Sequence, residues 1–142
     1  MNITKLLIAT IASFVVMFAL GGFVHMKLMH QFYMDHMATK CDIHRTEPIM
    51  LYIALGVLLL AFIMSYMYPK GVESNNKIME GFKFGAIIGI LWMVPLDLIM
   101  YGSTTLFGRM LILTDGAIGI IIQGIGGIVI AYAYGDAAKP KS

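Results

Sequence analysis

Four long apolar runs constrain this chain more than any other feature of its sequence. They cover residues 3–24, 48–68, 81–101 and 111–135. A helix needs about 20 apolar residues to cross the hydrocarbon core of a bilayer, and only helices and closed barrels satisfy every backbone polar group there. None of the runs alternates between apolar and polar residues as barrel strands do. The sequence therefore predicts an all-α polytopic membrane protein with four transmembrane helices in an antiparallel bundle.

The composition supports this prediction and bounds the number of domains. Hydrophobic residues make up 59% of the chain and charged residues 13%, which leaves too little polar surface to cover a soluble core. At 142 residues, we predict a single transmembrane domain over 1–142. The net charge of +2 comes without a basic patch, so the expected partner is the lipid bilayer and not nucleic acid.

The distribution of Lys and Arg predicts the orientation in the membrane. With four spans, both termini lie on one side. That side carries Lys5, Lys70, Lys77, Lys139 and Lys141, whereas the other carries Lys27, Lys40, Arg45 and Arg109. Because positively charged loops are retained in the cytoplasm, we predict cytoplasmic N and C termini in a bacterial inner membrane. The connection 25–47 is then extracytoplasmic. The first run is longer than a signal-peptide core, so we interpret it as an anchor that is not cleaved.

The connection after the first helix concentrates the residues that could bind a metal or a haem. It contains every histidine of the chain, the only cysteine and four methionines. Thioether and thiolate ligands with imidazole suit Cu(I), His with Cys or Asp can hold zinc, and a His with a Met can ligate haem iron. The candidate ligands are His25, His30, His36, Cys41 and His44.

The same stretch has a second interpretation, as a solvated amphipathic extension of the first helix. In a continuous helix, His25, Met29, Phe32 and His36 would share one face. Methionine is frequent throughout the chain, with 13 copies, and serves as an adaptable packing residue. No HxxxH, CxxC or HExxH spacing occurs. Copper, zinc or haem binding and an extension without a ligand therefore both remain open.

Polar side chains within the apolar runs form a second group of candidates. Charged residues inside transmembrane segments are costly and often functional. With the orientation above, Asp97, Asp115, His25 and Arg109 all lie toward the extracytoplasmic end. They could form a site for a metal, a proton or a small polar ligand. Alternatively, Asp115 caps its own helix and Arg109 neutralises Asp97. Gln123 lies deeper, and we expect it to form a hydrogen bond between helices.

Glycines at regular spacing predict which helix faces come together. In lipid, close backbone contact between small residues replaces the hydrophobic effect as a cause of helix association. The glycines on one face of the third helix are Gly81, Gly85 and Gly89, and those of the fourth helix are Gly116, Gly119, Gly126 and Gly127. We therefore predict that both faces pack closely against neighbouring helices.

Three segments of the chain resemble small four-helix bacterial integral membrane proteins of unknown function. They are ALGGFVH in the first helix, EGFKFGAIIGILW in the third and LTDGAIGIIIQGIGGIVIAYAYG in the fourth. The resemblance spans most of the chain and implies the four-helix fold, but it implies no activity. In such proteins an imidazole often follows the Asp-Gly pair, whereas residues 118–120 here contain none.

Three functions are consistent with this sequence. The first is an accessory or structural membrane protein without its own catalysis, which forms a homo-oligomer or belongs to a larger membrane complex. The second is an extracytoplasmic metal- or haem-binding protein. The third is a small transporter subunit in which Asp97 and Asp115 line a path, and since four helices seldom enclose one, it would act as an oligomer. No nucleophile elbow or phosphate-binding loop occurs, which favours a protein that is not an enzyme.

Overall fold

Helices dominate the computed structural model, which describes residues 2–36, 47–105 and 107–135. The elements in chain order are α1 (Ile3–Phe23), a π-helical turn (Val24–Leu28), α2 (His30–His36), α3 (Met50–Met67), a 3-10 turn (Tyr68–Lys70), α4 (Lys77–Ser103) and α5 (Arg109–Tyr134). No β-strand occurs in these three ranges. The prediction of an all-α fold is therefore confirmed for the described residues.

Four of the helical segments are long and apolar enough to cross a membrane. They are Ile3–Leu28, Met50–Lys70, Lys77–Ser103 and Arg109–Tyr134. Half of the most apolar window of the last segment is buried inside the protein, against 17–22% for the other three. α5 is therefore the central helix. The other three direct most of their apolar side chains outward, where lipid and not water would solvate them at little cost.

Asparagine side chains fix where two of the helices begin. The Asn2 side chain accepts a hydrogen bond from the backbone N–H of Lys5 at 3.2 Å, and that of Asn76 accepts one from Met79 at 3.1 Å. Each cap satisfies an N–H group that has no partner within the first turn of its helix. The Asn76 cap begins α4 at Lys77, four residues before the predicted start at Gly81.

The other predicted boundaries agree with the structure to within two residues. α1 ends at Phe23, α3 covers Met50–Met67, and α4 ends at Ser103. α5 begins at Arg109 because Gly108, with an extended backbone, precedes it.

The closest approach between two helices is that of α4 and α5. A Cβ atom added at Gly81 would lie 2.6 Å from the carbonyl oxygen of Gly127, and one at Gly89 would lie 2.7 Å from Cα of Ile120. Real Cβ atoms do not come this close, so only glycine fits at these two positions. Since residue numbers fall along α5 as they rise along α4, the two helices run antiparallel. The contribution of the glycines to helix association stays a prediction.

α1 packs against a different side of α5 and also against α3. The Met17 side chain fills the space beside Gly126. Nearer the chain terminus, Lys5 Nζ donates a hydrogen bond to the backbone carbonyl of Ala133 at 3.2 Å. The pairing of Lys5 with Ala133 and of Met17 with Gly126 shows that α1 also runs antiparallel to α5.

Buried aromatic rings join α3, α4 and α5 at one end of the helices, which we call the tyrosine end. Tyr68 packs edge-on against Phe84, with ring centroids 5.3 Å apart, and also contacts Tyr134 at 6.0 Å. The Tyr134 hydroxyl donates a hydrogen bond to the carbonyl oxygen of Ser65 at 2.8 Å. In a regular helix this carbonyl would accept from residue 69, but Pro69 has no N–H group. Tyr134 therefore supplies the donor that the proline lacks.

Candidate functional site

A break between α1 and α2 brings Tyr33 back over the end of the bundle opposite the tyrosine end. The π-helical turn closes with a hydrogen bond from Met29 N to the carbonyl of Val24 at 2.8 Å. In an unbroken α-helix, residues 25 and 33 would be about 12 Å apart along the axis. Here the His25 Nδ1 atom and the Tyr33 hydroxyl oxygen are 2.8 Å apart, and the two rings stack. The helix axis must therefore bend between them.

This bend contradicts the predicted continuous helical face of His25, Met29, Phe32 and His36. The wider π-helical turn changes the angular position of every residue that follows it. Only the last two residues remain neighbours, because both belong to α2. The rings of Phe32 and His36 stack with centroids 4.1 Å apart, and His36 Nδ1 donates to the carbonyl of Phe32 at 2.9 Å.

Tyr33 connects three elements through hydrogen bonds. Its hydroxyl donates to Asp115 Oδ1 at 2.6 Å, and His25 Nδ1 lies 2.8 Å from the same hydroxyl and 3.6 Å from Asp115 Oδ1. Because the single hydroxyl proton is directed at the carboxylate, His25 Nδ1 carries a proton and donates it to the Tyr33 oxygen. The chain of hydrogen bonds thus runs from the π-helical turn through α2 to α5.

Asp97 reaches the same place from α4. A Cβ atom at Gly116 would lie 3.4 Å from Asp97 Oδ2, so this carboxylate packs against the turn of α5 that carries Asp115. Asp97 Oδ2 is buried and has no hydrogen-bond partner within the described part of the chain. Buried polar atoms are normally paired, so this oxygen is unusual as a buried acceptor without a hydrogen bond among the described residues. We call His25, Tyr33, Asp97 and Asp115 the polar cluster, and the end that carries them the cluster end.

The surroundings of Tyr33 keep its hydroxyl protonated. Burial of the ring, the hydrogen bond to Asp115 and the negative charges of Asp115 and Asp97 all raise the pKa of Tyr33 above its usual value of about 10. Tyr33 therefore acts as a hydrogen-bond donor throughout the physiological pH range and does not itself release a proton there.

Two other polar residues expected near this site have different surroundings. The Arg109 guanidinium interacts with the Tyr101 hydroxyl, and no ion pair joins Arg109 to Asp97 within the described ranges. Gln123 is buried in the middle of α5, with 6% of its surface exposed. Its backbone carbonyl faces Gly85 of α4. Neither residue shares the hydrogen bonds of the polar cluster.

The predicted metal ligands do not come together in the part of the chain that the structure describes. No group of three or more His, Cys, Asp or Glu side chains there could hold a metal ion. His25 is engaged with Tyr33, His36 with the carbonyl of Phe32, and His30 is exposed. Cys41 and His44 lie outside the described residues. These ranges therefore give no support to copper, zinc or haem binding.

An apolar crevice of about 380 Å³ lies beside the polar cluster, in the half of the bundle nearer the cluster end. α1 and the π-helical turn contribute the largest part of its lining, and α3, α4 and α5 contribute the rest. The lining is apolar apart from His25, Gln123 and the indole N–H of Trp92. His25 therefore belongs both to the polar cluster and to the crevice.

Comparison of the chain with protein-family models, with curated proteins and with solved structures finds no match. The resemblance to small four-helix bacterial membrane proteins therefore stays a prediction from the sequence.

Proposed function

We propose that this chain is a small integral membrane protein that crosses the bilayer four times and serves as an accessory or structural protein without catalysis. Two properties of the four helical segments support four spans. Each segment is long enough to cross a bilayer, and the mean hydropathy of its most apolar window lies between 1.9 and 2.4. Large apolar side chains also cover the outer faces of α3 and α4; Leu51 and Leu91, for example, are 65% and 67% exposed. A lipid environment removes the cost of that exposure.

The observation that carries the non-catalytic role is the internal pairing of the polar cluster. Tyr33 lies between His25 and Asp115 and occupies a hydrogen-bonding atom of each. A catalytic base or nucleophile instead directs its reactive atom toward space for a substrate. We therefore assign these three side chains a structural role, in which they fasten α2 to the end of the bundle. This role leaves the outer surface of α2 available to a partner subunit or a second copy of the chain.

We further propose that the four spans form an antiparallel bundle in a bacterial cytoplasmic membrane, with the tyrosine end in the cytoplasm. Lys5, Lys70 and Lys77 lie at that end of the helices. Lys and Arg accumulate on the cytoplasmic side of short loops, which supports this orientation. The polar cluster and α2 then face the extracytoplasmic side.

Labelling of single cysteines tests both the spans and the orientation. In a Cys41→Ser background, Met34→Cys places a thiol on α2, and Asn75→Cys places one in the loop between α3 and α4. Both native side chains are exposed. An impermeant maleimide should label position 34 in intact cells and position 75 only after the cells are lysed. Labelling of both positions in intact cells, or the reverse pattern, would contradict the proposed topology.

Native mass spectrometry of the purified protein tests the accessory role. After mild cross-linking in membranes, we expect either a defined homo-oligomer or a stoichiometric complex with another membrane subunit. A chain that remains monomeric after cross-linking and carries no subunit would contradict this role. The labelling pattern above would still stand, so the two results are independent.

One observation favours a second candidate function, that of a small proton-transporting subunit. The buried Oδ2 atom of Asp97 has no partner among the described residues, and intramembrane carboxylates are typical of proton relays. If this function is correct, the protein should conduct protons in vesicles that contain the dye pyranine. Asp97→Asn should abolish this flux, whereas Asp35→Asn, on the exposed part of α2, should not. Flux equal to that of empty vesicles would exclude this candidate.

A further inference from the structure

We propose that the crevice between α3 and α4 binds one molecule of an uncharged lipid, with a single apolar chain or ring and an oxygen atom in its head group. This inference rests on the membrane insertion proposed above. It assigns the crevice a ligand class on the basis of its opening, its size, its flexible walls and the charges at its polar rim.

The crevice opens sideways and toward the lipid. In the described part of the chain, α3 makes almost no contact with α4, although both line the crevice. Its wall on α3 extends from Met50 to Leu60, and its wall on α4 consists of Trp92 and Met93. If these helices span the bilayer, the opening lies at the depth of the lipid chains. An apolar molecule dissolved in the membrane can then enter without crossing a polar layer.

The size of the crevice limits its occupant. Pockets for small ligands have volumes of about 300–1,000 Å³, and the volume of about 380 Å³ lies near the lower limit of this range. One chain or one ring fits such a space, whereas a phospholipid with two chains needs more.

The crevice is lined by flexible side chains and contains unfilled space. Met17, Met26, Met50 and Met93 contribute flexible thioether side chains, which adapt to irregular apolar shapes. On α1, a Cβ atom at Gly21 or at Gly22 would meet nothing within 4 Å. Gly21 and Gly22 therefore border free space in the crevice and do not form a close contact with another helix. This distinguishes them from Gly81, where the backbone of α5 fills the corresponding space.

The charges at the rim determine the kind of head group. At the rim, His25 can hydrogen-bond to an alcohol, ester or ketone oxygen, whereas Gln123 lies deeper in the crevice. The Asp115 carboxylate lies 3.6 Å from His25 Nδ1, and the Asp97 carboxylate packs against the same turn of α5 as Asp115. In surroundings of low dielectric constant, these charges would repel an anionic head group strongly. A fatty acid or a phospholipid is therefore disfavoured, and an uncharged lipid is preferred.

Photolabelling tests this inference with two matched probes. The full-length protein is reconstituted into phosphatidylcholine vesicles with a long-chain alcohol that carries a diazirine and an alkyne. A fatty acid with the same chain and the same two groups is the comparison. We expect the alcohol to label residues of the crevice on α1 and α3, and excess unlabelled alcohol to suppress this labelling. The fatty acid should label the same residues about tenfold less, which corresponds to about 1.4 kcal/mol.

A pair of glycine substitutions provides the matched control. Gly22→Leu places a side chain in the crevice, whereas Gly56→Leu places the same side chain on α3 outside the crevice lining. A Cβ atom meets nothing within 4 Å at either position, so both variants should fold. Labelling that can be suppressed should fall about tenfold in Gly22→Leu and stay unchanged in Gly56→Leu.

Two outcomes would overturn the inference. One is labelling that the unlabelled alcohol does not suppress or that Gly22→Leu leaves intact, because the probe would then report only bulk lipid. The other is equal labelling by the alcohol and the fatty acid. Extraction with alkaline carbonate separates these outcomes from a failure of the proposed function. Protein that stays in the membrane but shows no specific labelling contradicts only the ligand site, whereas protein released from the membrane contradicts the membrane proposal itself.

Discussion

The two ends of the helical bundle are held together by different interactions. At the tyrosine end, Tyr68 and Tyr134 are 3% and 2% exposed, and the backbones of α4 and α5 touch at Gly81. At the cluster end, polar side chains on short or partly exposed elements meet through hydrogen bonds, and a crevice separates α3 from α4. Interlocking packing thus stabilises one end, and a few polar contacts stabilise the other.

The residue sizes on the helices explain this difference. Toward the tyrosine end, Ala61, Ser65 and Gly85 are buried and small, so neighbouring backbones can approach closely. Toward the cluster end, the larger side chains of Trp92 and Met93 lie on α4 at the level of the crevice. We therefore expect substitutions at the tyrosine end to affect global stability, and those at the cluster end to affect mainly α2.

The largest effect should come from a side chain placed between α4 and α5. Gly81→Leu directs a Cβ atom at the backbone of Gly127 and Ile128, which cannot move aside as a side chain can. Overpacking costs about 1–3 kcal/mol and occasionally more, and we expect a loss at or above the upper limit. Chemical unfolding in mixed micelles, followed by the fluorescence of the single tryptophan, measures the free energy of unfolding. Gly102→Leu, where a Cβ atom meets nothing within 4 Å, is the control on the same helix.

If Gly81→Leu unfolds at the same denaturant concentration as the wild type, the two ends do not differ in the way proposed. The contact between the α4 and α5 backbones would then contribute little to stability.

Tyr134→Phe should have the next largest effect, and it should also be global. The change removes the donor to the Ser65 carbonyl, which Pro69 cannot replace because it lacks an N–H group. A buried acceptor without a partner costs about 1–3 kcal/mol. The same unfolding measurement should show a loss within this range. Tyr132→Phe, at an exposed position next to it, should leave the unfolding free energy unchanged.

Tyr33→Phe should have a smaller and local effect. It removes the hydroxyl that lies between His25 and Asp115, so α2 should detach from the bundle end while the rest of the protein stays folded. Hydrogen exchange followed by mass spectrometry should show faster exchange in residues 30–36 and no change in α4 or α5. Tyr52→Phe, an exposed position on α3, is the control. A loss of global stability as large as that of Tyr134→Phe would show that the polar cluster holds more than α2.

The smallest effect concerns the pH dependence of the cluster end. Because the pKa of Tyr33 is raised in the folded protein, its hydroxyl stays protonated beyond the usual value of about 10. The contribution of its hydrogen bonds is therefore complete below about pH 10 and is lost as the pH rises further. The tyrosinate absorbance of the wild type minus that of Tyr33→Phe should show no titration step at the usual tyrosine pKa of about 10. A difference that titrates near pH 10 would mean that Tyr33 is solvated and does not contact Asp115.

The long helices could be predicted from the sequence, whereas the site geometry could not. An apolar run near the length of a bilayer indicates a helix without reference to any other part of the chain. The boundaries were less accurate because residues 77–80 are partly polar and gave no signal of a helix. These residues are helical because the Asn76 side chain caps α4 at Lys77.

The position of Tyr33 beside His25 could not be predicted from the sequence. Nothing in the residues 24–28 indicates a π-helical turn, because their helix propensities resemble those of the preceding turns. The bend that follows decides which side chain meets His25. The sequence predicts that Asp97 and Asp115 lie at one end of the molecule, but no sequence pattern assigns Tyr33 to the same group. The crevice, likewise, depends on the distance between α3 and α4, which no local pattern specifies.

The bond from Tyr134 to Ser65 has a consequence for the order in which the protein is made. Its two partners lie 69 residues apart, so the end of α3 is synthesised long before the hydroxyl that satisfies it. If the helices span a membrane as proposed, the Ser65 carbonyl needs another partner, such as water or a lipid head group, until α5 is inserted. Synthesis of α5 therefore completes the hydrogen bonding at the end of α3, and a chain that stops before residue 134 would lack this bond.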